Sequence, residues 1–115
     1  MKPSKDFLLF QKHFRYWQQR FGLLGYKLYF KHQPIDEGFA SLATNENSCV
    51  ATVSLNSNLP NGDKPFKDIK RSAKHEAIHL MLSKYKDLAL SRYLREGEIY
   101  KAEEEIVFKL EKLIV

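Results

Sequence analysis

Apolar positions in the segment Ser4 to Phe21 recur at steps of three and four: Phe7, Phe10, Phe14, Trp17 and Phe21. That period is one face of an α-helix, so the segment is predicted helical with an aromatic stripe turned to the core. Ser4 and Asp6 suit its start, because a short side-chain oxygen there accepts an otherwise orphaned backbone N–H. Gly22 and Gly25 end it. The period then drops to two. Tyr26–His32, Phe39–Thr44 and Cys49–Leu55 alternate apolar with small or polar residues, and Pro34, Asp36, Gly38 and Asn45–Asn47 mark turns between them. Three short strands in an antiparallel sheet are expected. The Asn-, Gly- and Pro-rich run 56–65 reads as a loop. From Phe66 to Tyr85 no Gly or Pro interrupts, and Ile69, Ala73, Ala77, Leu80 and Met81 restore the helical period. A second helical stretch is expected at Asp87–Arg95 and a break at Gly97. A last helix follows over Ile99–Val115, with Ile99, Ile106, Val107, Leu110, Leu113 and Ile114 on one face. The order α-β-β-β-α-α-α defines an α+β fold.

The 115 residues fit one domain, 1–115. At 43% hydrophobic and 13% aromatic the chain has enough apolar surface to fold rather than stay disordered. A single cysteine, Cys49, excludes an intramolecular disulfide framework and suits a reducing cytoplasm. Its place in a predicted strand makes it a small core residue. No apolar run approaches the ~20 residues of a membrane span, and the N-terminal stretch lacks the apolar core and small-residue cleavage site of a signal peptide. The net charge of +5 is uneven. Residues 1–31 carry seven Lys/Arg against one Asp, residues 64–95 nine against three acids, and residues 96–115 three against six. Such basic stretches would attract nucleic acid, with 64–74 as the contact, although a solvated mixed surface accounts for the same charge.

One motif carries chemistry. His75-Glu76-Ala77-Ile78-His79 reads HExxH inside the best-defined helix. It arises by chance in about one chain in a hundred of this composition. Residues i and i+4 lie one turn apart on one helix face, so two imidazoles there can share a Zn²⁺ ion. Glu76, beside that face, reaches a water on the metal rather than the metal itself and serves as general base. His13 and His32 each stand alone on their elements and suit surface or core roles.

A catalytic zinc needs a third protein ligand and an open position. No histidine follows at the HExxHxxGxxH spacing, where Leu82 and Tyr85 stand, so a carboxylate from the last helix is the alternative. At about 100° per residue from Ile99, the apolar face centres near 20°, with Glu103 near 40°, Glu104 near 140° and Glu105 near 240°. Only Glu103 points into the core, where a metal would offset the cost of burying its charge. Glu104 is the reserve, Glu105 stays open, and Glu96 and Glu98 are weaker because they sit at or before the helix start. Tyr85, Tyr93 and Tyr100 are candidates to stabilise an oxyanion.

Trp17, Phe21-Gly22-Leu23, the Ala51–Leu55 strand, IKRSAKHEAIH at Ile69–His79 and EEEIVFKLEKL at Glu103–Leu113 together resemble the minigluzincin and SprT-like metallopeptidases of phages and mobile elements. The resemblance spans most of the chain, and HExxH is its specific part. It implies a zincin-like domain over 1–115, with a three-stranded sheet packed on an active-site helix and a gluzincin ligand pair of histidines completed by a later Glu. The NExxSD-like second motif of larger gluzincins is absent, so it does not mark the third ligand. The resulting expectation is a Zn²⁺-dependent peptidase. His75, His79 and Glu103 hold the metal, and Glu76 moves the proton. A peptide or protein substrate lies as an added strand along Cys49–Leu55. The alternative is a non-catalytic zinc-containing or basic nucleic-acid-binding domain. A structural zinc wants a fourth ligand, and none is obvious.

Overall fold

Ser4 begins the fold as expected of a cap: its Oγ accepts the Phe7 N–H at 3.0 Å, and helix α1 runs Lys5–Arg20. The computed structural model describes residues 3–90 and 96–113. Strands follow at Lys27–Gln33 (β1), Ala40–Asn45 (β2) and Val50–Asn56 (β3), then a 3₁₀ turn at Lys64–Phe66 and helices α2 (Ile69–Leu90) and α3 (Glu96–Leu113). The protein is α+β, with three helices and one small mixed sheet.

The sheet departs from the antiparallel arrangement expected. Its order is β1-β3-β2. β3 pairs parallel with β1, from Lys27↔Val50 to Gln33↔Asn56, and antiparallel with β2, from Ala40↔Leu55 to Asn45↔Val50. Alternation reveals which residues are in strands but not which strand is central. Burial does: β3 is buried at Ala51, Val53, Ser54, Leu55 and Asn56, whereas β1 and β2 keep one face wet. The β1–β2 connection therefore passes the end of β3, and Asn56 holds it there. The Asn56 amide donates to Gly38 O at 2.8 Å and Ile35 O at 3.3 Å, and its Oδ1 accepts from Ile35 N–H at 3.3 Å. Because β3 is central, Cys49–Leu55 offers no free edge for a substrate strand; β2 does. Cys49 is also not a core residue. It is exposed, in the tight β2–β3 connection, at a positive φ of 53° that closes the hairpin.

Phe10, Phe14 and Trp17 of α1 pack with Ala51, Val53 and Leu55 of β3 and Ile69, Ala73, Ala77 and Leu80 of α2 in one core. Ala73 and Ala77 make α2 slim enough to approach the sheet. Phe30 of β1 closes the core by edge contacts to the rings of Phe10 and Phe14. α2 continues to Leu90 without the break expected near Tyr85, since Lys86–Leu90 contains no helix breaker. Gly97 lies in the first turn of α3 rather than ending a helix. Positions 91–95, 114 and 115 of the expected helices fall outside the described residues. Among the described residues no helix is long and apolar enough to cross a membrane.

Candidate metal centre

α3 packs on α2 through a stripe at four-residue steps: Ile99, Glu103, Val107 and Glu111, all buried. Ile106, expected on this face, is exposed instead. Every second position of the buried stripe is acidic. The facing stripe of α2, Arg71, His75 and His79, supplies the partners. His79 Nδ1 lies 3.1 Å from Glu103 Oε2, and His75 Nδ1 lies 2.5 Å from Glu111 Oε2. The other Glu111 oxygen accepts from Arg71 Nε, and Lys86 Nζ stands 3.5 Å from Glu103 Oε1.

These contacts settle which ring atoms are left over. Burial pushes the Glu111 carboxyl up, but the hydrogen bonds and charges of His75 and Arg71 outweigh it and hold it below its ordinary value. An ionised carboxylate has no proton to donate, so His75 Nδ1–H is the donor. Its Nε2 is the ring atom left facing the cleft. Glu103 likewise occupies His79 Nδ1 and leaves its Nε2 facing the cleft. The two Nε2 atoms face each other at 3.2 Å. Glu104 Oε1 joins them, 2.5 Å from His79 Nε2 and 3.8 Å from His75 Nε2. Two ring nitrogens and one carboxylate oxygen thus converge.

Their chemistry fits a divalent cation. Two nitrogens each 2.0–2.1 Å from one tetrahedral zinc stand about 3.3 Å apart, close to the spacing observed. The charges agree. Four acids, Glu76, Glu103, Glu104 and Glu111, gather here against two cations, Arg71 and Lys86, an excess that a dication would offset. His75, His79 and Glu104 are grouped tightly enough to hold a metal ion. That group contains Glu104, the reserve ligand, and not Glu103. Glu103 is the inward acid, 3% exposed, but it sits behind His79 at Nδ1 and orients the ring. Glu105 points away and pairs only with Lys109 at 3.6 Å.

Glu76, 7% exposed, lies at the floor of the cleft. Desolvation pushes its carboxyl up to about 7; the charge of His75 opposes this and those of Glu104, Glu103 and Glu111 reinforce it. Glu76 lines two adjoining cavities. One, about 340 Å³, is walled by Ala40 of β2 and Phe108 of α3 beside His75. The other, about 250 Å³, is walled by Leu42 of β2, Tyr100, Lys86 and Glu104 beside His79. The edge strand β2 therefore runs along the whole cleft. Of the tyrosine candidates, Tyr100 reaches it, exposed Tyr85 does not line it, and Tyr93 is outside the described residues. His13 and His32 lie elsewhere, His13 beside Lys12 and Lys70 and His32 stacked on Phe7 at 5.0 Å. Glu111, Arg71 and Lys86 were not anticipated, although the alternation of acid and apolar residues at 99, 103, 107 and 111 signals them. Comparisons with protein-family models, curated proteins and solved structures find no match.

Proposed function

We propose that the protein is a zinc-dependent peptidase with a zincin-like site, in which His75, His79 and Glu104 hold the metal and Glu76 is the general base. The observation that carries this is the convergence of His75, His79 and Glu104, the two rings being fixed from behind by buried carboxylates. When bound, zinc supplies Lewis acidity that polarises a carbonyl and acidifies water. Glu76 takes the proton of the attacking water and returns it to the amine as the C–N bond breaks. Burial raises the Glu76 carboxyl to about 7 in the metal-free chain, and a dication beside it favours the ionised, basic form. Glu111 and Glu103 keep the rings in the ligating tautomer, and Arg71 and Lys86 balance their charge. The free edge of β2 offers main-chain groups to an extended peptide.

A structural zinc would want four protein ligands; three converge among the described residues. The basic run 64–74 is partly committed internally, with Lys67 paired to Asp6 at 2.7 Å and Arg71 to Glu111. Both facts support the catalytic reading over the alternatives. The test is chelator-sensitive cleavage of an unfolded casein-like substrate by zinc-loaded protein. Glu76→Gln should bind zinc as the parent does and cleave at least 100-fold more slowly. Equal cleavage by the variant removes Glu76 as base.

A further inference from the structure

Three phenylalanines from three separate elements meet at one cavity. Phe39 comes from the β1–β2 connection, Phe66 from the 3₁₀ turn and Phe108 from α3. Phe66 is 75% exposed and Phe108 47%, and neither belongs to the core. Single exposed apolar residues are ordinary, but several converging on one concave surface mark a binding site. The cavity, about 340 Å³, opens on His75 and Glu76, and the Phe108 ring centroid stands 5.4 Å from that of His75. Arg71 is held by Glu111, and Asp68 Oδ1 caps α2 by accepting the Arg71 backbone N–H at 3.1 Å. Asp68, Glu76 and Glu111 stand at its polar side with Arg71 and His75, while Phe39, Phe66, Phe108 and Ala40 present its apolar surface.

We infer that this cavity receives an aromatic or large aliphatic side chain of the peptide substrate, adjacent to the bond that is cleaved. The inference rests on the peptidase reading and adds the substrate class. A peptide lying along β2 places alternate side chains on one face, and Ala40, small and at the cavity wall, leaves room for one of them. Replacing Ala by Phe at that substrate position should raise kcat/KM by roughly 10- to 100-fold, the usual reward of filling an apolar pocket.

The experiment uses zinc-loaded full chain and blocked peptides that differ at one position: Phe, Leu, Ala, Glu or Lys. Cleavage is read by mass spectrometry. Binding of the same peptides to zinc-loaded Glu76→Gln is read by calorimetry, independently of turnover. Phe66→Ala is the principal variant, since its ring is exposed and far from folding; Phe108→Ala is the second. The inference predicts that Phe and Leu are preferred over Ala, Glu and Lys in both readouts, and that the ratio collapses towards one in Phe66→Ala. Cleavage without that preference, or a preference unchanged in both variants, overturns the pocket and leaves the peptidase standing. Selective binding lost in Phe66→Ala, with no cleavage by the parent, keeps the pocket and overturns the peptidase. Neither cleavage nor selective binding overturns both.

Discussion

Replacing Glu76 by Gln should make the metal-free protein more stable, in a pH-dependent way. The carboxyl is pushed up to about 7 from an ordinary 4.5, chiefly because it is desolvated. A group whose folded value is raised favours the fold only when protonated. Its contribution is full below pH 4.5 and is lost as pH rises through 7. At pH 8 the ionised Glu76 therefore costs the fold about 3 kcal/mol, from 1.36 kcal/mol for each pH unit of the shift. Gln keeps the shape without the charge. Urea unfolding in chelator, followed by the fluorescence of the single tryptophan, buried Trp17, reads the difference. Glu76→Gln should exceed the parent by about 3 kcal/mol at pH 8, roughly 10 °C in Tm, and match it near pH 4.5. With saturating zinc the gap should close, because a dication favours the ionised carboxylate. Equal stability at pH 8, with parallel pH profiles, would show that the carboxylate is solvated and would refute the buried-base account.

Three more outcomes are expected. Glu104→Ala should weaken zinc binding by more than the roughly 100-fold that loss of a ligand's hydrogen-bond partner costs, while Glu105→Ala, which loses only an exposed pair, should leave calorimetric affinity unchanged. Glu111→Gln should weaken zinc binding about 10- to 100-fold by freeing the His75 ring. Because the Glu111 carboxyl is held below 4.5, its stabilising contribution in the metal-free chain is present above that value and fades as pH falls through the lower folded one, so urea midpoints of parent and variant should converge on acidification. Asn56→Ala, which strands the Ile35 and Gly38 groups, should cost about 1–3 kcal/mol by urea unfolding; a cost below about 0.5 kcal/mol would mean that water replaces the amide.

The helices and strands were legible because their periods are strong. Phe10, Phe14 and Trp17 face the core as their spacing demands, and β1, β2 and β3 fall within a residue or two of the alternating runs. Strand order was not legible, since a period of two does not distinguish a parallel neighbour from an antiparallel one; the buried Asn56 amide that fixes the crossing only shows once the chain is folded. At the candidate metal centre, HExxH marks the two rings that meet. The helical wheel marks Glu103 as the inward acid, and in the structure that acid lies against His79 Nδ1. A ring has two nitrogens, and the deeper carboxylate takes the one facing the core, which leaves the acid at the mouth, Glu104, to meet the Nε2 atoms. HExxH by itself calls for one further carboxylate ligand, so a second buried acid such as Glu111, which pairs with His75 Nδ1, does not stand out in the sequence.

Zinc-edge anomalous diffraction from crystals of the zinc-loaded protein tests the central claim most directly. The account predicts one ion per chain bonded by His75 Nε2, His79 Nε2 and a Glu104 oxygen, with Glu103 and Glu111 still on the Nδ1 atoms. An ion held elsewhere, one bound by Glu103 in place of Glu104, or no stoichiometric zinc would contradict it.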